Sequence, residues 1–236
     1  DMIGELFSPA RRGGETLIII LLKASFWTMR EAFVGFVLGG LFGFGIGVVF
    51  VRSTLAERAF MPYVVASQTV PIIAIAPIVV VWGGRLSVPQ WLSVSFSSAY
   101  LTFFPVAINT LRGLRSPDPT AMELMRSYAA KPTDVLWKLQ VPAALPYIFT
   151  ALKVSATASI IGALIGELPA GFQDGLGRVL HPFSQQFAVR SATLYGTVLV
   201  TALVGIAFVG LVTYAEHRLV GATRRLPASA EPQRAA

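Results

Sequence analysis

The sequence contains no cysteine and only two histidines among its 236 residues. The lack of cysteine excludes a disulfide framework, a thiolate metal site and a cysteine nucleophile. His181 and His217 lie too far apart in the sequence to indicate a metal-binding motif. Charged residues are also scarce, at 13% of the chain, whereas soluble globular domains carry about 25%. This composition excludes a disordered protein and argues against an ordinary soluble domain.

Apolar residues, in contrast, make up 54% of the chain, and the mean hydropathy is +0.66. The net charge of +7 would suggest a nucleic-acid partner for a soluble protein. In a chain this apolar, the excess of Lys and Arg is more typical of loops on the cytoplasmic side of a membrane. The composition therefore favours a membrane protein without a nucleic-acid partner.

Five apolar segments exceed the 18 residues that mark a candidate transmembrane helix. They cover residues 32–51, 60–82, 88–111, 142–166 and 191–219. The first is rich in glycine, which lets helices approach closely in lipid. The second contains Pro62, Pro71 and Pro77, and a helix broken by proline survives in a bilayer only where protein or water satisfies the freed backbone groups. We predict an all-α integral membrane protein with five visible transmembrane helices.

Three regions follow from this division. Residues 1–31 form an N-terminal segment, residues 32–219 a membrane domain, and residues 220–236 a polar tail. Within the first region, the amphipathic stretch 15–30 is compatible both with a helix lying at the membrane interface and with the start of the first span.

The distribution of Lys and Arg predicts the orientation. Eleven of these residues lie in the segments 52–58, 112–138 and 218–234, and seven lie in the alternate set of segments. The first set is therefore predicted to be cytoplasmic, which places the tail inside the cell. Lys153 is the one charged residue within a predicted span, and we expect it to reach along the helix towards the cytoplasmic surface.

The loop 112–141 is the longest polar stretch between spans. Asp118 or Thr120 can cap a short helix over 121–130, and Pro132 limits that helix. A second short helix, over 135–140, carries Trp137. The sequence leaves two interpretations open: a connecting loop that covers the end of the bundle, or a docking element for a cytoplasmic partner.

The stretches Glu123–Ala130 and Leu139–Pro146 resemble the EAA loop of binding-protein-dependent ABC importer permeases. In that loop a Glu-Ala-Ala sequence is followed by a Gly and, about thirteen residues later, by a Pro. Glu123 matches the Glu, Ala129 stands at the Gly position, and Pro142 has the expected spacing. Leu124 and Met125 replace the two alanines. Because Ala129 is predicted to be helical, we expect it to need no positive φ.

Other segments resemble the nitrate, sulfonate and taurine branch of these permeases, among them Trp82-Gly83, Phe104-Pro105, the run Pro142–Pro146, and Gly175-Leu176-Gly177. Members of that branch usually have six spans, so we expect an N-terminal span to be missing here. The resemblance implies a permease subunit, not an enzyme, in the bacterial inner membrane. It implies as partners a second permease copy, two cytoplasmic ATPases that bind ATP and Mg²⁺, and an extracytoplasmic substrate-binding protein, with no cofactor in this chain itself.

The resemblance also assigns candidate residues. Contact with the ATPase would involve the short cytoplasmic helix, namely Met122, Glu123, Met125, Arg126, Ser127, Tyr128, Ala129 and Ala130. Polar residues of the broken or serine-rich spans are candidates for the translocation path: Gln68, Thr69, Ser97, Ser98, Tyr100 and Asn109. The alternative role for Gln68 and Asn109 is hydrogen bonding between helices. Glu167, at the outer end of the fourth span, is a candidate for the gate or for contact with the binding protein.

The Glu-Leu-Pro-x-Gly sequence that begins at Glu167 resembles permeases for vitamin precursors, so pyrimidines and flavins come before sulfonates and nitrate as expected substrates. Two other function classes would require different sequence features. An ion-coupled secondary transporter would show inverted repeats and ionisable residues near the midplane. An intramembrane enzyme would show His, Asp or Glu at catalytic spacing within the spans, and the sequence contains no such pattern.

Overall fold

The computed structural model describes residues 16–168, 175–185 and 187–219, and these residues are helical with no β-strand among them. Helix α1 covers Leu17–Arg52 and runs through both the amphipathic stretch and the first predicted span. Residues 17–30 therefore continue directly into the span. This confirms the predicted all-α fold class.

The second predicted span is two helices, α2 (Thr54–Ser67) and α3 (Ile72–Arg85), whose axes meet at 98°. Pro71 ends the break between them, since proline has no N–H to continue the ladder of α2. Ser53 caps α2 by accepting a hydrogen bond from the Ala56 N–H. Pro62 and Pro77 lie inside the two helices without ending them.

The third span is α4 (Gln90–Leu114), and it leads into the loop that is predicted to be cytoplasmic. The loop contains α5 (Pro119–Ser127), α6 (Pro132–Val135) and a π-helical turn over Leu136–Gln140, which continues into α7 (Val141–Gly166). The predicted helix over 121–130 thus begins and ends earlier, and the predicted helix over 135–140 is a π-turn. Pro142 explains part of this change, because without an N–H it leaves the carbonyl of Lys138 without its usual helical donor.

Two helices complete the described chain: α8 (Leu176–Gln185) at the outer end, and α9 (Phe187–Leu219), the last span. Among the described residues, four helices are long and apolar enough to cross a membrane, and the bent pair α2–α3 makes a fifth if it is one span. Helices α1, α4 and α7 form the centre of the bundle. Phe208 of α9 packs on this centre through its ring contacts with Phe33 and Phe36.

The packing of α1 against α4 depends on glycines spaced four residues apart. Gly35, Gly39, Gly43 and Gly47 are all buried in that contact. A Cβ atom on Gly39 would lie 2.8 Å from Thr102 Cβ, and one on Gly47 would lie 2.6 Å from Thr110 Cγ2. Both distances are too short for real atoms, so these positions accept only glycine without a shift of the backbone. This confirms the role of glycine in close helix approach.

Contacts of charged residues mark the two ends of the bundle. At one end Arg115 forms an ion pair with Glu57, and Arg52 Nη2 donates to the Pro132 carbonyl at 3.3 Å, which joins two predicted cytoplasmic segments. At the other end the Arg30 guanidinium lies 4.2 Å from the centre of the Trp91 ring and also contacts Trp27. Tryptophans at this level are typical of the membrane–water interface.

A reporter enzyme fused after Arg126 is expected to be cytoplasmic, and one fused after Gln173 is expected to lie on the opposite side. The reason is that α7 is the membrane-crossing helix between the two positions. Reporter activity in intact cells measures both locations. Finding both reporters on the same side would contradict the topology.

Candidate functional site

The break in the second span exposes polar groups at the depth of the membrane midplane. Gln68, Thr69, Val70 and Pro71 are all exposed. Tyr100, which contacts the break, lies ten residues into α4, roughly 15 Å from the outer end of that helix and roughly 21 Å from its inner end. Backbone and side-chain polar groups at this depth are not found facing lipid. This side of the bundle therefore faces protein or water.

Tyr100 replaces the hydrogen bond that Pro71 is unable to make. In an uninterrupted helix the Ser67 carbonyl would accept from the N–H of residue 71, but proline has none. The Tyr100 hydroxyl donates to this carbonyl instead. The Val70 N–H is a second, more distant donor at 3.4 Å. Tyr100 thus fixes the end of α2 to the central helix α4, directly beside Gln68 and Thr69.

The other polar span residues are placed differently. Ser97 and Ser98 are fully buried within the bundle, where a Cβ on Gly162 of α7 would lie 2.7 Å from the Cα of Ser98. They line the tight contacts between α4 and its neighbours, away from the exposed break. Asn109 Nδ2 donates to the Pro105 carbonyl of its own helix at 2.8 Å. The structure therefore brings together Gln68, Thr69 and Tyr100 from the predicted set.

The Lys153 side chain pairs with a residue near the end of the last span that is predicted to be cytoplasmic. Its Nζ lies 2.8 Å from Glu216 Oε2 on α9. The ion pair joins α7 to the last span. The sequence prediction missed it because Glu216 is 63 residues away and at the end of an apolar segment, so no local pattern marks it as a partner.

Helix α5 lies at the end of the bundle that is predicted to be cytoplasmic, and none of its residues is buried. The Asp118 carboxylate caps it by accepting from the Thr120 N–H at 2.7 Å, as predicted. Glu123, Arg126 and Ser127 are exposed, whereas Met122 and Met125 are half-buried.

The exposed apolar side chains of α5 and the residue that ends it include Tyr128, which was among the expected contacts, and Leu124, which was not. Leu124 is 54% exposed and Tyr128 is 76% exposed. They are four residues apart, so they lie on the same face of the helix turn. Trp137, in the π-turn, is also exposed. Leu124, which departs from the EAA pattern, is thus an exposed apolar side chain outside the predicted contact set.

Ala129 corrects a second expectation, because its φ is +51°. The Ala129 N–H donates to the Arg126 carbonyl and the Ala130 N–H donates to the Met125 carbonyl. This pair of bonds is the Schellman arrangement, in which the residue after the helix cap takes a left-handed conformation and is usually glycine. The Gly position of the EAA pattern therefore requires a residue in the left-handed conformation here, and Ala129 adopts that conformation under strain.

Comparison with known proteins gives the identity of the fold. Residues 35–221 match the family described as binding-protein-dependent transport system inner membrane component. The chain belongs to this family. It is a multi-pass inner-membrane permease subunit of an ATP-driven importer of small solutes. Membership confirms the predicted resemblance and decides against the ion-coupled transporter and the intramembrane enzyme.

Two relatives and one solved structure define the similarity. The formylaminopyrimidine transport permease protein ThiX of Halalkalibacterium halodurans is 32% identical over 76% of this chain and 69% of its own length. The putative aliphatic sulfonates transport permease protein SsuC of Bacillus subtilis is 30% identical over 82% of this chain and 67% of its own. The MetNI methionine ABC transporter in an inward-facing conformation shares the fold, with a TM-score of 0.74 at 18% identity over 90% of this chain and 100% of that chain.

Replacing Ala129 with glycine is expected to stabilise the end of α5. In the left-handed conformation, alanine is about 1 kcal/mol less stable than glycine. Without this strain, the hydrogen bonds at the end of α5 should open roughly fivefold less in the variant than in the parent. Hydrogen exchange at the Ala130 amide measures this opening. Ala130→Gly is the matched control: it adds glycine flexibility without relieving a positive φ, so exchange should become faster. Faster exchange in Ala129→Gly would contradict the assignment.

Replacing Tyr100 with phenylalanine is expected to destabilise the permease by about 1 kcal/mol, the magnitude found for hydrogen bonds between membrane helices. The variant keeps the ring but removes the donor to the Ser67 carbonyl. Reversible unfolding in detergent measures the change. Tyr63→Phe, on the exposed face of α2, is the control and should leave stability unchanged. Equal stability of Tyr100→Phe and the parent would show that the break does not depend on this bond.

Proposed function

We propose that two copies of this chain form the translocation path of the importer, with the breaks of their second spans facing each other. The observation that carries this proposal is the exposed polar break around Gln68 and Thr69. Since such a break is not stable against lipid, a second permease copy and the aqueous path between the two copies would satisfy it. Tyr100 would hold the break in place, and Gln68 and Thr69 would face the solute.

The ATPase would dock on α5. An isolated helix of nine residues is marginal in water, so a groove on a partner is expected to hold it. Leu124 and Tyr128 would enter that groove, and Glu123 and Arg126 would orient the helix. The ATPase subunits would bind ATP and Mg²⁺ and carry out hydrolysis, while this chain would bind neither. Closure of the two ATPases would then draw the paired α5 helices together and shift the bundles as rigid bodies.

The loop around α5 supports this transmission of force. Arg115 Nη1 donates to Glu57 Oε1 at 2.8 Å, and Arg52 bonds the Pro132 carbonyl. Leu136 is buried with Leu114 and Ala144 in the cluster below the loop. A push on α5 would therefore reach α2, α4 and α7 together, because all three helices are tied to the base of the loop.

The solute is proposed to be a pyrimidine or flavin vitamin precursor. The support is the Glu-Leu-Pro-x-Gly sequence at Glu167 and the similarity to ThiX. The similarity to SsuC makes an alkanesulfonate the second candidate, and nitrate follows. An extracytoplasmic binding protein would deliver the solute, so its selectivity would decide among these classes.

The proposal is tested by reconstituting the permease in vesicles with its candidate ATPase and binding protein. A pyrimidine precursor or a flavin is expected to stimulate ATP hydrolysis and uptake, with an alkanesulfonate and nitrate as comparison solutes. The mass of the detergent-purified complex should correspond to two permeases and two ATPases. A complex with one permease per two ATPases would refute the paired path.

The double variant Glu123→Ala with Arg126→Ala is expected to abolish solute-stimulated hydrolysis and uptake while the protein still inserts. Loss of one partner of a desolvated charge contact costs about 2–5 kcal/mol. The matched control is Asp134→Ala with Lys138→Ala, which removes the exposed ion pair at 2.8 Å in the same loop and should retain activity. Normal uptake and normal ATPase association in the first variant would show that α5 is an ordinary loop helix.

A further inference from the structure

A cavity follows the broken second span towards the end of the bundle that is predicted to be cytoplasmic. Its volume is about 810 Å³, and its lining extends along α2 from Thr54 to Ala66. Arg115, directly after α4, lines the opposite wall. Gln68, the first residue of the exposed break, lies two positions beyond Ala66. The cavity therefore leads from the break to the inner end of the bundle.

The cavity and the polar break share one face of α2. The lining residues include a series whose members are three or four positions apart and so lie on one side of the helix: Thr54, Arg58, Met61 and Val65. Thr69 of the break follows four positions after the last of them. Its N–H donates to the Ala66 carbonyl at 3.0 Å, which prolongs the helical turn to this point. A solute that has reached the break thus meets this face next.

The opposite face of α2 has a different chemistry. It forms a groove of about 670 Å³ with α1, lined by aromatic residues such as Phe42, Phe60 and Phe103 and by no charged residue. Both charged residues of α2, Glu57 and Arg58, line the first cavity instead. The polar break and the charges therefore lie on the same side of the helix. This asymmetry indicates water, not lipid, on the side of the break.

The charged residues of the cavity leave one positive charge uncompensated. Arg115 Nη1 donates to Glu57 Oε1 at 2.8 Å, and its second nitrogen pairs with the other carboxylate oxygen. These two charges cancel. Arg58 is exposed, and within the described part of the chain it forms no ion pair. Its guanidinium is therefore available to a ligand at the inner mouth of the cavity.

We propose that Arg58, with the hydroxyl of Thr54 one turn away, forms a subsite for an oxyanion where the solute leaves the translocation path. A guanidinium binds sulfonate, carboxylate or phosphate oxygens through charge-assisted hydrogen bonds. One uncompensated charge in a cavity also raises the local concentration of anions. The subsite rests on the proposed paired path, and it narrows the solute. An alkanesulfonate, nitrate or a phosphorylated pyrimidine or flavin carries the required charge, whereas an uncharged flavin does not.

Thiol labelling measures both water and charge in the cavity, since the parent chain has no cysteine. Val65→Cys places a thiol on the cavity wall, where the side chain is 44% exposed. The permease with its candidate ATPase, in phosphatidylcholine nanodiscs at low ionic strength, is treated with two methanethiosulfonate reagents, one bearing a sulfonate and one a trimethylammonium group. Each rate is divided by that of the same reagent with 2-mercaptoethanol.

We expect the normalised rate of the sulfonate reagent to exceed that of the trimethylammonium reagent about fourfold or more. Even at the dielectric constant of water, one unit charge roughly 10 Å away changes the two rates in opposite directions by about twofold each.

Adding Arg58→Gln to Val65→Cys is expected to remove this preference, because the charges that remain in the cavity cancel. Arg58→Lys should keep it. Arg112→Gln is the matched control, since Arg112 is exposed at the same end of the bundle but does not line the cavity, and the preference should persist. Equal rates of the two reagents in Val65→Cys, or a preference unchanged by Arg58→Gln, would overturn the oxyanion subsite.

Two further arms separate a solute from a lipid headgroup. Sodium ethanesulfonate should reduce the preference more than sodium chloride at the same ionic strength, because bound sulfonate neutralises Arg58. Phosphatidylglycerol in the nanodisc should have no such effect. If phosphatidylglycerol alone reduces the preference, the oxyanion comes from lipid and the subsite does not serve the solute.

The same labelling distinguishes failure of the subsite from failure of the proposed path. Val65→Cys that reacts with neither reagent would show that water does not reach this face of α2, which overturns both. Val65→Cys that reacts equally with both reagents would overturn the subsite and leave the aqueous path in place.

Discussion

Close contact between α1 and α4 is the constraint on which the rest of the structure depends. Lipid chains are as apolar as the helices, so burial of apolar surface does not drive helices together in a bilayer. Van der Waals contact must do so, and it requires close approach. The glycines from Gly35 to Gly47 supply it, since a Cβ on Gly47 would already lie 2.6 Å from Thr110. Helix α4 is thereby fixed as the support for its neighbours.

The broken span uses that support at three levels. Arg115 holds the inner end of α2 through Glu57, Tyr100 holds the break through the Ser67 carbonyl, and Ser93 packs against Gly83 of α3 at the outer end. These three contacts hold the angle of 98° between the two half-exposed helices. The chain thus presents polar groups at the midplane of the bundle while the contact side of the pair stays anchored.

Helix α7 joins the two ends of the molecule that carry unusual polar structure. Its inner end continues from the π-turn below α5, and its outer end is followed directly by the buried carboxyl of Glu167. Its outer part packs tightly against α4, where a Cβ on Gly162 would lie 2.7 Å from the Cα of Ser98. The helix thus connects the base of the loop over residues 112–141 with the outer end of the bundle at Glu167.

The sequence by itself determined the five apolar segments, the proline break, the Asp118 cap and the EAA-like spacing, because these depend on local chemistry and on helix length. Tertiary structure alone decided which polar residues are buried, which are exposed and which pair with each other. It buried Ser98, left Gln68 exposed, and joined partners as distant as Lys153 and Glu216. Those outcomes depend on contacts between helices far apart in the chain, and no periodicity or spacing along one segment contains that information.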